Sequence, residues 1–171
     1  HVDGAEGRLI VRGYDLAQLS SRSFEAVLGL LWRNFAAGPS SEAEIAAALG
    51  RARARIFPLV KDGLAATAKL TQVEALRLLL SQLSDEETDY HHIVAVAAVP
   101  VFAAAIARSR AGLDPVAPDP DVSHSADFLK MLHGKEVGSE LVAALDTYLV
   151  TVADHGLNAS TFTARVIAST K

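Results

Sequence analysis

The residues best suited to bind a ligand lie near the end of the printed sequence, in segment 154–165. An apolar helix is predicted to run into His155, and Gly156 can leave the helical conformation and end that helix. Three residues that are good N-caps follow it: Asn158, Ser160 and Thr161. A new helix beginning there would offer free backbone N–H groups and a partial positive charge. Because the end of the preceding helix favours a protonated His155, the segment is typical of a site for a small carboxylate.

His155 also has a purely structural interpretation, which the spacing alone leaves open. Apolar residues precede it at steps of four, three and four, and His155 is the next step of three. They are Leu141, Leu145, Tyr148 and Val152. Residues at this spacing share one helical face, so we expect all of them to be buried. On such a face a histidine is often a core residue that hydrogen-bonds to the backbone.

The elements that must position this segment are predicted to be helices. Half of the 171 residues are hydrophobic, and Ala, Leu and Val, of which Ala and Leu are strong helix formers, supply most of that half. The one exception is a short hairpin over residues 2–14, with Gly4 and Gly7 in its turn. We therefore predict an all-α fold with a short N-terminal β-hairpin, forming one domain over residues 1–171.

Helix starts are marked by capping patterns. Ser23 precedes an apolar helical repeat, and Ser123 restarts a helix that runs to about Leu132 and ends at Gly134. Ser41 with Glu44, and Thr71 with Glu74, have the spacing of a capping box, which places helices over Glu42 to Leu49 and from residue 71 to about 83. The proline-rich segment 114–120 cannot be helical. The final long helix covers roughly Gly138 to Asp154.

A long helix from Glu86 to Arg110 is predicted to be the centre of the fold. Acidic residues 85–87 suit its start, and Arg108 and Arg110 suit its end before Gly112. Its middle is apolar all round, so it must be buried on every side, which a subunit interface would make easier. The uncharged run 93–107 is shorter than a membrane span and contains Pro100, so we expect no membrane association.

Composition excludes several classes of function. The net charge of −4 and the lack of a dense basic face argue against nucleic acid, and we expect Arg51, Arg53 and Arg55 to lie on a solvated helix face. The absence of cysteine excludes thiolate chemistry and fits a cytoplasmic location.

We also expect no metal site from the remaining histidines. His91 and His92 are adjacent and point about 100° apart on a helix, which is not the geometry of a ligand pair. His133 is expected at a helix end, and His124 in a first turn facing solvent.

Segment 154–165, Asp154-His-Gly-Leu-Asn-Ala-Ser-Thr-Phe-Thr-Ala-Arg165, resembles the substrate-site segment of the citrate synthase family. Other segments are similar to that family in the same order along the chain. They are the opening Val2-Asp-Gly with Arg12-Gly-Tyr-Asp15, the first helix 23–32, and the loop and helix 112–129. One departure is Leu70-Thr-Gln-Val-Glu74, where the family commonly has a His-Pro-Met-like turn, and it bears on the subfamily and its substrate preference.

This resemblance implies a citrate synthase-like large helical domain and a role for several residues. The family's oxaloacetate-binding histidine matches His155, Asn158 is expected to support the same site, and Ser160 and Arg165 to lie behind it. The family condenses acetyl-CoA, a co-substrate rather than a bound cofactor, with oxaloacetate to give citrate and CoA. Its two catalytic histidines and its aspartate lie beyond the position of Lys171, so residues 1–171 alone are expected to be inactive.

The resemblance leaves two alternatives and implies a partner. A 2-methylcitrate synthase would use propionyl-CoA instead, and a non-catalytic helical dimerisation protein would keep only the fold. The family also implies a homodimer through the helices near 71–83 and 86–110. Because the sequence begins at His1 rather than Met, we expect further chain before it as well as after Lys171.

Overall fold

The predicted N-terminal hairpin is part of a three-stranded antiparallel sheet in the computed structural model, which describes residues 2–84, 90–154 and 158–170. Strand β1 (Val2–Asp3) pairs with β2 (Arg8–Val11), and β2 also pairs with β3 (Tyr14–Asp15). The first turn has Gly7 at φ 63°, and the second has Gly13 at φ 90°. The hairpin is confirmed, and the third strand extends it.

Helices form most of the rest, which confirms the predicted fold class. The described helices are α1 (Leu16–Leu19), α2 (Phe24–Trp32), α3 (Glu42–Ile56), α4 (Pro58–Gly63), α5 (Gln72–Leu80), α6 (His91–Arg110), α7 (His124–His133), α8 (Ser139–Val152) and α9 (Ala159–Ala168). A short 3-10 turn, Leu64–Thr67, joins α4 to the segment before α5.

The predicted capping boxes are present at the starts of α3 and α5. The backbone N–H of Ser41 donates to Glu44 at 3.0 Å, and Glu44 N–H donates to the Ser41 hydroxyl at 3.3 Å. Thr71 and Glu74 repeat this exchange at 2.8 and 3.3 Å. The backbone donors lower the pKa of both Glu44 and Glu74, because they stabilise the ionised carboxylates. Local sequence therefore sets both helix starts.

Helix α3 extends to Ile56, seven residues beyond the Leu49 end that the sequence predicted. Gly50 lies inside it, where glycine ordinarily weakens a helix. A Cβ atom at Gly50 would lie 2.0 Å from the Pro120 carbonyl oxygen, far inside van der Waals contact. The glycine is therefore a point of close approach between α3 and the proline-rich segment rather than a helix stop.

Helix α6 is the centre of the main hydrophobic core, as predicted, but its described part begins at His91 and not at Glu86. Tyr90, just before it, has an extended backbone (φ −65°, ψ 121°), and residues 85–87 lie outside the described part. By length and composition α6 could cross a membrane, yet 56% of its most apolar stretch is buried by other parts of the chain. Burial by α3, α5 and α7 is what a core helix requires.

The segment after α6 follows the prediction closely. Gly112 adopts φ 71° and ends the helix, and Arg108 Nε donates to the Asp114 carbonyl at 2.6 Å. The proline-rich segment is not helical, Ser123 caps α7, and Gly134 ends α7 in the left-handed conformation.

The face of α8 that we expected to be buried is the exposed one, so that prediction is wrong. Leu141, Tyr148 and Val152 are 47%, 61% and 51% exposed, and Leu145 is half-buried. Helix α8 instead packs through Val150, which contacts a small cluster around Val11, Leu19 and Val27. The helical period identified residues that share a face, but the one fully buried residue among the described residues of α8, Val150, lies on another side of the helix.

Candidate functional site

The predicted carboxylate site lies between the end of α8 and the start of α9. Helix α8 ends at Val152, two residues before the predicted Asp154, and Ala153 is its C-cap. His155 and Gly156 lie outside the described residues, so their predicted roles stay predictions. Asp154 is half-buried and makes an interaction with its surroundings.

Asn158 is the N-cap of α9, as its residue type predicted. Its backbone is extended (φ −127°, ψ 179°), and its side-chain oxygen accepts a hydrogen bond from Thr161 N–H at 2.8 Å. The same oxygen accepts from the Thr161 hydroxyl at 3.0 Å. The cap uses one of the N–H groups that a helix leaves unpaired at its start, and the remaining first-turn donors and the helix dipole are features that favour an anion.

Ser160 and Arg165 lie on α9 at different places. Ser160 is exposed in the first turn, next to the cap, whereas Arg165 is exposed in the last turn. Arg165 is five positions after Ser160, which places their backbones about 7.5 Å apart along the helix axis and more than a third of a turn apart around it. The structure therefore places Ser160 near the predicted site and does not bring Arg165 beside it.

Helix α9 as a whole presents no buried residue, and its apolar side chains are largely exposed. The most exposed are Phe162 (69%) and Ile167 (65%). The described part of the chain therefore caps the start of α9 without covering its apolar face.

The other histidines form no metal site among the described residues, where no group of three or more potential ligands is close enough to hold an ion. His92 packs edge-on against Trp32, with ring centroids 4.6 Å apart. Burial, followed by the neighbouring His91, lowers the pKa of His92. His133 ends α7, as predicted, and it is exposed.

A buried ionic cluster joins α3 to α7, and here the sequence-based expectation for Arg53 is wrong. Arg53 is fully buried, and its Nε donates to the Asp127 carboxylate at 2.5 Å. Its Nη2 also donates to the carbonyl oxygens of Val122 at 3.0 Å and Asp119 at 3.4 Å. Asp127 accepts a further bond from Asp119 N–H at 2.8 Å. The guanidinium thus holds the end of the proline-rich segment against α3.

Two opposing effects act on the pKa of Asp127 in this buried ion pair. Burial raises the pKa of Asp127 above its usual range, because water no longer solvates the carboxylate. The Asp119 N–H and the Arg53 guanidinium lower it in part. Removing either partner would leave the other charge buried and uncompensated, which is the costly case.

His124 belongs to the same cluster, so the expectation that it faces solvent is also wrong. It is 5% exposed, its Nδ1 lies 3.4 Å from Arg53 Nη1, and its ring packs against Phe24 at 5.2 Å. Burial first, and the Arg53 charge second, lower the pKa of His124 to about 3. A carboxylate oxygen of Glu25 accepts from the His124 backbone N–H at 2.7 Å, so α2 caps α7 as well.

The sequence contains a partial indication of Arg53, which the prediction missed. Ile45, Leu49 and Arg53 are spaced by four residues, so Arg53 lies on the apolar face of α3. Ile45 and Leu49 are fully buried, and so is Arg53. Its carboxylate partner is 74 residues away, and no local pattern indicates that distance.

Comparison with known proteins agrees with this fold. The chain matches the family model described as "Citrate synthase, C-terminal domain" over residues 1–171. It is 38% identical to a citrate synthase of Haloferax volcanii, over 99% of this chain and 48% of that protein. It is 34% identical to a 2-methylcitrate synthase of Mycobacterium tuberculosis, over 95% of this chain and 44% of that protein.

A solved structure gives the same result at the level of the fold. The crystal structure of citrate synthase from Thermotoga maritima superposes with a TM-score of 0.78 and 25% sequence identity, covering 99% of this chain and 47% of that one. The chain therefore belongs to the citrate synthase family. It spans about half the length of the relatives it matches.

Proposed function

We propose that this chain is part of an enzyme that condenses acetyl-CoA with oxaloacetate to give citrate and CoA. The observation that carries the proposal is its likeness to citrate synthases along its whole length, including 38% identity to the Haloferax volcanii enzyme. The mostly helical fold, with a TM-score of 0.78 to a citrate synthase structure, supports the same assignment.

Within that enzyme, segment 154–165 would supply part of the oxaloacetate site. Asn158 caps α9, so the start of that helix is fixed and its dipole can stabilise a substrate carboxylate. His155, three residues before the cap, would donate a charge-assisted hydrogen bond to the same carboxylate. Ser160 would support the helix start, and the position of Arg165 in the last turn favours a structural role for it.

The condensation itself needs groups that this part of the enzyme is not expected to supply. A base must remove a proton from the methyl group of acetyl-CoA, and donors must stabilise the enol oxygen that develops. We place those groups in the part of the enzyme that corresponds to the other half of the relatives. Residues 1–171 would then bind and orient oxaloacetate, and would not condense it alone.

The second candidate is a 2-methylcitrate synthase that uses propionyl-CoA, which the 34% identity to the Mycobacterium tuberculosis enzyme favours. One extra methylene changes discrimination by only about 1–3 kcal/mol. The test is kcat/KM for acetyl-CoA and propionyl-CoA with oxaloacetate, measured on the complete enzyme. A preference for acetyl-CoA supports the first proposal, a clear propionyl preference favours the second, and no turnover of either contradicts both.

We also propose that the enzyme is a homodimer whose interface includes α5 and α6. Helix α5 leaves Val73 (66%) and Leu78 (38%) exposed. Helix α6 exposes an apolar stripe at spacings of three and four residues, which is formed by Val99 (43% exposed) with the half-buried Val96 and Ala103. Exposed apolar side chains on neighbouring helices are typical of an interface between subunits.

A further inference from the structure

Residues 113–122, which contain the proline-rich segment and connect α6 to α7, contact α3 without contributing to the hydrophobic core. We call these residues the strap. None of the ten is buried, and neither hydrophobic cluster contains one of them. Residues 113–119 have no regular secondary structure, and three prolines in the strap carry no backbone N–H. Because the strap buries so little apolar surface, its local stability is low.

Polar contacts attach the strap at two places. At its first end, Arg108 Nε of α6 donates to the Asp114 carbonyl. At its second end, Arg53 donates to the carbonyl oxygens of Asp119 and Val122. Since Arg53 belongs to α3, the second attachment is the one that holds the strap against that helix.

Helix α7 completes the second attachment through Asp119. The Asp119 N–H donates to the Asp127 carboxylate, and the Asp119 carboxylate accepts from Lys130 Nζ at 2.8 Å. The pair with Lys130 is partly exposed, so water weakens it. Arg53, in contrast, is fully buried and contacts both the strap carbonyls and Asp127. One buried guanidinium therefore supplies most of this attachment.

His124, two residues after the strap, is the titratable group best placed to weaken the attachment. Its Nδ1 lies 3.4 Å from Arg53 Nη1, so a proton on Nδ1 would place two cations in contact. Glu25 of α2 accepts from the His124 backbone N–H, and Asp127 and Asp119 complete the charged groups of the cluster. The residues of α6 and α8 that line the surface beside the ring are uncharged, and one of them is titratable, Tyr148.

Acid acts on the closed strap mainly through His124. Burial first, and the Arg53 charge second, lower the pKa of His124 to about 3 in the closed cluster. A state in which water reaches the ring binds the proton near pH 6.5, so its population rises as the pH falls from 6.5 towards 3. Asp127 acts in the opposite sense, because burial raises its pKa in the closed cluster. The hydrogen bond from Lys130 lowers the pKa of Asp119, which places the effect of Asp119 below pH 5.

We propose that the strap opens from α3 as a unit while the helical core stays folded, and that protonation of His124 promotes the opening. In the open state Arg53 loses the two strap carbonyls, and water reaches the ring. The closed strap also forms one side of a surface cavity of about 860 Å³, through residues 120–122, so the opening would widen that cavity. The inference does not depend on the reaction proposed above.

The test is native-state hydrogen exchange of the complete enzyme, read by mass spectrometry at the Asp119 N–H. The Ala98 N–H, in the buried middle of α6, reports global unfolding. Rates are corrected for the intrinsic effect of pH and measured in low concentrations of urea at pH 7 and pH 5. An opening confined to the strap exposes little surface, so exchange at Asp119 should be faster than at Ala98 and nearly independent of urea.

His124→Gln tests the role of the histidine, because glutamine keeps an acceptor for Arg53 but does not titrate. From pH 7 to pH 5 the opening constant at Asp119 should rise about 25-fold in the wild type relative to His124→Gln. The comparison cancels the opposite effect of Asp127, which both proteins contain. His133→Gln changes an exposed histidine at the other end of α7 and should behave as the wild type.

Gly50→Ala tests the contact between the strap and α3 without a titration, and it applies even if His124→Gln does not fold. The added Cβ would meet the Pro120 carbonyl only in the closed state. At pH 7 the substitution should therefore raise the opening constant at Asp119 by at least about fivefold. Gly4→Ala, with no atom within 4 Å of the added Cβ, should leave it unchanged.

Two results would overturn the inference. If Asp119 exchanges only through the urea-sensitive unfolding that Ala98 reports, in the wild type and in Gly50→Ala, the strap does not open separately. If the opening constant has the same pH dependence in the wild type and in His124→Gln, protonation of His124 does not promote the opening.

Discussion

His124 should make the stability of the protein fall between pH 7 and pH 5. Its pKa in the folded protein is lowered from 6.5 to about 3 by burial and by Arg53. In the unfolded chain His124 therefore binds a proton near pH 6.5, whereas in the folded protein it binds one only near pH 3. The stability that depends on a neutral His124 is complete above pH 6.5 and is lost as the pH falls towards 3. Between pH 7 and pH 5 the linkage relation gives a loss of about 2 kcal/mol.

The assay is urea unfolding at pH 7, 6 and 5, at one protein concentration, for the wild type and His124→Gln. Glutamine can still accept a bond from Arg53 but does not titrate, so other groups contribute equally to both proteins. The difference in unfolding free energy between the two proteins should shrink by about 2 kcal/mol from pH 7 to pH 5. Parallel pH profiles would refute the reasoning, because they would mean that His124 titrates normally in the folded protein.

Two further substitutions test contacts around the proline-rich segment. Arg53→Ala should lower the free energy of unfolding by about 3–5 kcal/mol in thermal or urea unfolding, because it leaves Asp127 buried and uncompensated. Gly50→Ala should lower it by about 2 kcal/mol, since the clash with the Pro120 carbonyl costs up to about 3 kcal/mol and the gain in helix propensity returns about 1 kcal/mol.

Each of these substitutions has a matched control in the same chain. Arg51→Ala removes an exposed arginine two residues from Arg53 and should change stability by less than about 0.5 kcal/mol. Gly4→Ala adds a methyl group with no atom within 4 Å and should be similarly neutral. If Arg53→Ala cost no more than Arg51→Ala, or Gly50→Ala no more than Gly4→Ala, the described contacts would not contribute to stability.

The parts of the fold that the sequence predicted are those set by neighbouring residues. The capping boxes at Ser41 and Thr71, the glycine turn after β1 and the Asn158 cap all depend on groups within four residues of each other. Hydrogen bonds of this range form whenever the local backbone adopts the right conformation, so residue type and spacing are sufficient to predict them.

The parts that the sequence did not predict depend on contacts between distant segments. Arg53 was expected in water because arginine is rarely buried, yet Asp127 and two carbonyl groups provide partners for its charge. The prediction that one face of α8 is buried was wrong for a similar reason. Periodicity placed Leu141, Tyr148 and Val152 together, but only the packing of α8 on α2 and α7 decides which face is covered.

For the candidate site too, the sequence predicted the local feature and not the positions that depend on distant segments. The Asn158 cap, a local feature, is present in the structure. The role of Arg165 depends on where α9 points, and the structure places Arg165 two turns from Asn158 along that helix. Under the proposed function, the residues that complete the site would lie in other parts of the enzyme, and no pattern within residues 1–171 would indicate their arrangement.

The most direct test of the central claim is the KM for oxaloacetate of the complete enzyme with His155→Ala, compared with His133→Ala. His133 is an exposed histidine at the end of α7 and lies outside segment 154–165. We predict that His155→Ala raises the KM for oxaloacetate about 10- to 100-fold, from the loss of a charge-assisted hydrogen bond, with a helical circular dichroism signal close to wild type. An unchanged KM for His155→Ala would contradict the account, and would show instead that His155 is a core histidine.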